Sequence, residues 1–238
     1  MNYAFTNGKI LDGTKDMQIQ TGLCILVRDG KIYDIVKDTA DLDGYKIIDL
    51  QGHYILPGLI NMHVHLAGSG KPQKKQRDNE KLVNTIMGSA LTRAIAYNMV
   101  AGFAKDELLS GVTTIRTVGG LGNFDTRLRD EIEAGTKIGP RILAANQGIS
   151  VPGGHMAGSV AIDAANLNEA LAHLDKCEKE KVDIIKLMIT GGVLDAKEKG
   201  VPGELKMSPD MVRAVCNKAH ADGYMVSAHV ESPEGVRV

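Results

Sequence analysis

Leu56-Pro57-Gly58-Leu59-Ile60-Asn61-Met62-His63-Val64-His65-Leu66 is the stretch that decides the fold. It reads as a turn followed by a short buried strand that ends in two histidines at spacing i, i+2. Strand side chains alternate faces, so His63 and His65 point one way and Val64 the other. Two imidazoles on one face, at the end of an apolar strand, can hold one metal ion together. They can equally be two ordinary strand histidines that happen to alternate.

Upstream of this stretch, residues 1–57 read as short strands and tight turns. Leu23 to Val27 and Lys31 to Val36 flank Arg28-Asp29-Gly30, and Asp-Gly between apolar runs signals a hairpin. Tyr45 to Leu50 adds another strand. His53 lies in a turn with no partner at ligand spacing, so it reads as structural. We expect a small β-sheet domain over residues 1–57.

Downstream, residues 58–238 change to a rhythm of strand, loop and helix. A polar loop carries Lys71, Lys74, Lys75 and Arg77, which read as a solvated basic run. One long helix is expected over residues 80–110, with Leu82, Ile86, Ala90, Ile95, Met99 and Phe103 on its packed face. Val112 to Val118 is β-branched and reads as a second strand, and Arg141 to Ala145 as a third. A glycine-rich loop at residues 151–158 carries His155. Val182 to Ile189 is almost continuously apolar, like a strand of a buried parallel sheet, yet Lys186 sits inside it. A lone buried ammonium is costly. The lysine either snorkels to the strand end or is held neutral, which makes its amine nucleophilic. Ser208-Pro209 starts a helix, and Tyr224 to His229 is a fifth strand that ends in a histidine.

About five strand–helix units without antiparallel hairpins imply parallel strands with right-handed crossovers. The expected fold class is α/β: a partial (β/α)₈ TIM barrel preceded by the small β-sheet domain. His63, His65, Lys186 and His229 lie at or near the C-terminal ends of their strands, where barrel active sites lie. A net charge of -1 gives no reason to expect nucleic acid or an anionic membrane as partner. No run approaches a membrane span, and the N-terminus lacks the basic and apolar regions of a secretory signal. Cys24, Cys177 and Cys216 suit buried thiols in a reducing compartment. The cytoplasm is the expected location.

The motifs Pro57 to His65, Gly111-Val112-Thr113-Thr114-Ile115-Arg116, Gly139-Pro140-Arg141-Ile142, Gly153-Gly154-His155, Ile185-Lys186 followed by Thr190-Gly191-Gly192, and Ser227-Ala228-His229 run through the chain in order. The chain thereby resembles the metal-dependent amidohydrolase superfamily, in the branch of imidazolonepropionase-like and Xaa-Pro dipeptidase (prolidase)-like enzymes. The resemblance implies two divalent metals, Zn²⁺ above all, with His63 and His65 on one, His229 on the other, and Lys186 bridging them as a carbamate. It places His155 over the substrate as a second catalytic residue. It implies attack by a metal-bridging hydroxide on a C–N bond of a small molecule, an Xaa-Pro dipeptide or an N-acyl amino acid. The alternatives are an inactive fragment that at most binds metal, and a hydrolase of cyclic amides.

The chain departs from the family pattern at Asn61 and Thr117, where aspartate is frequent. The family's later histidine and aspartate, and the strands that complete its β-domain, have no counterpart before Val238. The sequence is therefore expected to be the N-terminal part of such an enzyme. Its open fifth-strand edge is expected to favour self-association into a homo-oligomer.

Overall fold

The computed structural model describes residues 1–70, 78–193 and 203–238, in two compact units, Met1–Gly58 and Leu59–Val238. The basic run from Lys71 to Arg77 lies outside the described residues.

In the first unit, β1 (Tyr3–Thr6), β3 (Leu23–Arg28), β4 (Lys31–Lys37) and β5 (Lys46–Asp49) form one sheet in the order β4-β3-β1-β5. β3 is antiparallel to both of its neighbours, and β5 runs parallel to β1. The β3–β4 turn has Asp29 and Gly30 at φ 49° and 74°, the left-handed pair that a tight two-residue hairpin requires. Ala4, Cys24, Ile25 and Leu26 are buried under this sheet. β2 (Lys9–Ile10) and β6 (Tyr54–Ile55) make a separate parallel pair. His53 joins its turn through ring Nδ1, 2.8 Å from the Leu50 carbonyl oxygen.

The second unit holds two parallel sheets. One is β7 (Leu59–Val64), β8 (Val112–Thr117) and β9 (Arg141–Leu143). The other has the order β11 (Ala161–Asp163), β10 (Gly148–Ser150), β12 (Ile184–Met188) and β13 (Met225–His229). Every pairing between these strands is parallel. The sequence reading anticipated one strand between β8 and β12; three short ones occur, β9, β10 and β11. The polar Asn146-Gln147 step divides the first two. At the break, Asp183 N–H donates to the Ala144 carbonyl at 2.8 Å, and Asp183 Oδ2 accepts from Ala144 N–H at 2.8 Å and from Arg129 Nη1 at 2.8 Å. One aspartate thus stitches the end of β9 to the start of β12.

Each sheet has its own core. Ile115, Ile142, Val64 and Leu66 pack with Ala96, Tyr97, Val100, Ala104 and Leu128 on the helical side of β7–β9. Ile149, Ile185 and Leu187 pack with Leu174, Cys177, Val212 and Val215 on the helical side of β10 and β12. Full burial of such a side chain is worth roughly 1.5–3 kcal/mol.

The helices correct the sequence reading twice. The single helix expected over residues 80–110 is two, α1 (Asn79–Met87) and α2 (Ala90–Leu109). Ser89 breaks them because its hydroxyl accepts from Thr92 N–H at 3.2 Å, capping a new start. The packed face of α2 is Ala96, Val100 and Ala104 with Tyr97, while Leu91, Ile95 and Met99 are exposed. Small residues win the inner face because they let the helix approach the sheet closely. The other helices are α3 (Phe124–Glu133), α4 (Leu167–Lys179), α5 (Pro209–Ala221) and the short α6 (Pro233–Arg237). Ser208 caps α5 through Met211 N–H, with proline in its first turn. Among the described residues no helix is long and apolar enough to cross a membrane.

Candidate metal centre

β7 is not the buried strand that its composition suggests. It pairs only with β8 among the described strands, and Leu59, Ile60 and Met62 are exposed on it. Its alternation nonetheless puts Val64 and Leu66 in the core and the two histidines on the other face. There His63 Nε2 and His65 Nε2 stand 3.2 Å apart. The His65 ring is oriented by its Nδ1–H, which donates to the Gly119 carbonyl at 3.0 Å. That bond makes His65 Nε2 the accepting nitrogen, with its lone pair aimed at His63. Two nitrogens bound to one ion at Zn–N ~2.1 Å lie ~3.0–3.4 Å apart for octahedral to tetrahedral angles, and the observed spacing falls in that range. Gly119 has φ 137°, and a Cβ there would fall 3.1 Å from His65 Cε1, so only glycine brings this carbonyl to the ring.

β12 is the opposite case, buried at every position and paired on both sides, with β10 and β13. Ile185 and Leu187 face the helices, so Lys186 must point to the other face. It is 2% exposed, and its Nζ has no hydrogen-bond partner. The lysine therefore does not snorkel. Burial, and then the nearby Arg116 guanidinium, push its pKa down to about 8. Gly148 of β10 makes room for the stem: a Cβ there would lie 3.1 Å from Lys186 Cγ.

His229 ends β13, two residues beyond Ser227, the register partner of Lys186. Its ring stacks on His155 with centroids 4.0 Å apart and planes 12° from parallel. His229 Nε2 is buried without a hydrogen-bond partner, and Glu231 Oε1 stands 3.5 Å from it. Gly192 borders both rings; a Cβ on it would fall 2.6 Å from His155 Nδ1 and 3.2 Å from His229 Nε2.

These groups act on one another electrostatically. Burial first, then the charges of Lys186, His65, His229 and Arg116, hold the His63 pKa down at about 4. Burial also lowers His65 and His229, and His155 and Lys186 push both the same way. The cluster favours neutral imidazoles and a neutral amine, the protonation states in which these side chains accept a cation. The full convergence expected from the sequence is not reached by the imidazoles alone. Among the described residues no three of histidine, cysteine, aspartate and glutamate close on one point. Two imidazole pairs stand there instead, with the lysine as the further donor. The unpartnered Lys186 amine and His229 Nε2 fit a cation bound through a lysine-borne oxygen ligand.

Sequence reasoning gives no role to Arg116 and Gly192, which it meets only as parts of motifs, nor to Gly119 and Gly148. Arg116 Nε donates to the Met62 carbonyl at 2.8 Å, which ties β8 to β7 beside His63. Its signal was a charged residue inside a β-branched strand. The glycines left a signal only where they occur in pairs.

The family model described as "Amidohydrolase family" matches residues 54–237. Among solved structures, a candidate prolidase from Bifidobacterium longum is 34% identical, with TM-score 0.75, and the alignment covers 99% of this chain and 51% of that one. A Xaa-Pro dipeptidase with methionine bound in its active site is 30% identical, with TM-score 0.78 and coverage of 100% and 58%. The dihydroorotase of Bacillus cytotoxicus is 40% identical over 75 residues, 32% of this chain and 17% of that protein. The chain thus spans just over half the length of the solved structures, and about a sixth of this dihydroorotase aligns with it.

Proposed function

The chain belongs to the amidohydrolase family, and from that premise we propose that it carries the metal-binding part of a hydrolase for C–N bonds of small substrates. Xaa-Pro dipeptides and N-acyl amino acids are the leading substrate classes. The observation that carries this reading is the buried, unpartnered Lys186 amine, near enough to His63, His65 and His229 for its charge to act on all three.

Lys186 becomes an oxygen ligand by reaction with CO₂. The neutral amine attacks the carbon, a new N–C bond forms as one C–O π bond breaks and its electron pair moves to oxygen, and one N–H proton leaves to solvent. Its lowered pKa supplies the neutral amine near pH 8. His63 and His65 would hold one divalent metal ion, Zn²⁺ by ligand type, and His229 a second, with the Lys186 carbamate between them. Such ions lower the pKa of water and polarise a carbonyl. The Gly119 carbonyl fixes the tautomer of His65. His155, stacked on His229, orients the substrate carbonyl or carboxylate. The residue roles and the division into a β-sheet domain over residues 1–57 and a barrel portion over 58–238 are parts of this proposal.

The dihydroorotase match favours a second reading, hydrolysis of cyclic amides on the same centre. The test is turnover, with Zn²⁺ and bicarbonate supplied, of three panels: Xaa-Pro dipeptides, N-acyl amino acids and cyclic amides such as dihydroorotate. Turnover confined to the first two supports the main reading, and turnover confined to the third supports the second. Zn²⁺ uptake without turnover of any panel would leave the chain as a metal-binding fragment.

A further inference from the structure

Among the described residues of this unit, Asp125 is the one buried carboxylate that the reading above does not use. It lies in the first turn of α3, is 1% exposed, and its Oδ2 has no hydrogen-bond partner. A negative charge is favoured near a helix N-terminus, but this carboxylate is turned away from water and against Gly120. A Cβ on Gly120 would fall 2.5, 2.8 and 2.9 Å from its Oδ2, Cγ and Oδ1. The adjacent Gly119 has the His65 ring on its other side, with the missing Cβ 3.1 Å from Cε1 and 3.2 Å from Nδ1. The Gly119–Gly120 backbone is therefore held between an imidazole and a carboxylate. Thr117, fully buried at the end of β8, lies beside the carboxyl and accepts from Ala145 N–H at 3.3 Å.

We infer that Asp125 is a positioning residue for His65, acting through the Gly119–Gly120 backbone that separates them. The carboxylate fills the space behind Gly120, and the peptide cannot retreat from the ring. The Gly119 carbonyl then stays 3.0 Å from Nδ1, and His65 keeps its Nε2 lone pair directed at His63. Loss of the carboxylate opens room behind the loop, and an alanine at 120 drives the loop and the carboxylate apart. Gly120 is not in the left-handed region, and the three atoms nearest a Cβ there all belong to Asp125. The consequence for metal binding rests on the reading above; the geometry itself does not.

The test is the tautomer of His65 in the metal-free 238-residue chain, read by long-range ¹H–¹⁵N correlation of the imidazoles and assigned with His65→Gln. The wild type shows the Nδ1–H form alone. Asp125→Ala and Gly120→Ala each show a mixture of tautomers, whereas Asp125→Asn keeps the wild-type form. The double variant Gly120→Ala/Asp125→Ala, which puts a methyl where the carboxylate was, recovers it, a non-additive result expected only of groups in contact. On the same proteins, Zn²⁺ affinity by chelator competition falls roughly ten- to a hundredfold in the two single variants. An unchanged tautomer in both folded single variants overturns the inference. If the single variants do not fold, a folded double variant with mixed tautomers overturns it as well. A wild type that binds no Zn²⁺ contradicts the metal reading and leaves the tautomer result to decide this one.

Discussion

β7 and β12 are both parallel strands, and each delivers candidate ligands, but they do so by opposite means. Among the described strands β7 is paired on one side only and is mostly exposed, so its histidines need an outside carbonyl to fix them. β12 is buried at every position, so its packing alone fixes Lys186, at the cost of an unpaired amine. The difference teaches that exposure sets what a ligand needs. An exposed ligand needs a hydrogen-bonded support, and a buried one needs a reaction partner for its stranded charge.

Lys186→Met breaks the comparison most severely. It should reduce Zn²⁺ affinity by roughly two orders of magnitude or more, since a ligand contributes more than the supporting bonds worth 10–100-fold. The same variant should melt at a higher temperature in metal-free form, because an unsatisfied buried polar group costs about 1–3 kcal/mol. Calorimetry and chelator competition on one preparation would read both effects. A drop in melting temperature would mean that the amine has a partner.

The support behind β7 is tested by pH. Burial raises the Asp125 pKa from 3.8 to about 6. The folded state therefore binds this proton more tightly than the unfolded state does. Stability from this source is complete below pH 4, declines as pH rises to 6, and is flat above. About two pKa units correspond to about 3 kcal/mol. The lowered histidines act in the opposite direction as pH falls, so the difference between wild type and Asp125→Asn isolates the carboxyl. Urea unfolding at pH 4 and pH 7 should find Asp125→Asn gaining about 3 kcal/mol relative to wild type over that interval. Parallel stability curves for the two proteins would reject the assignment.

Gly192→Ala sharpens the β13 side. Its Cβ would fall 2.6 Å from His155 Nδ1, so the stack on His229 must open. The expected loss is about tenfold in kcat/KM on whichever panel is turned over, about 1.4 kcal/mol, with Zn²⁺ bound at His63 and His65 unaffected. Equal kcat/KM would show that the stack plays no part in turnover.

Much of this architecture was legible in the sequence, and its limits have physical causes. Alternation placed His63 and His65 on one face whatever the burial of β7, because period two is a backbone property. Lys186 stood out because Ile184, Ile185, Leu187, Met188 and Ile189 around it are all apolar. The burial of β7 was not legible, since an apolar run reads the same whether one or both edges are paired. The face of α2 is not legible because helical spacing favours the larger Ile95 and Met99 for the core, whereas alanines and Val100 make the close contact. Convergence of imidazoles depends on loops such as Gly119-Gly120, whose backbone path leaves little trace in local pattern. The smallest effect expected is on the exposed face of α2. Ile95→Lys should change stability by less than about 0.5 kcal/mol, whereas Val100→Lys should prevent folding; equal tolerance in thermal melts would reverse the two faces.

The central claim, that the stranded amine of β12 is completed as a carbamate beside the β7 histidines, is tested most directly by ¹³C NMR of the chain with ¹³C-bicarbonate and Zn²⁺. One protein-bound carbamate resonance is expected, present in the wild type, absent from Lys186→Met, and lost when the metal is chelated. Stoichiometric Zn²⁺ binding with no such resonance would contradict it.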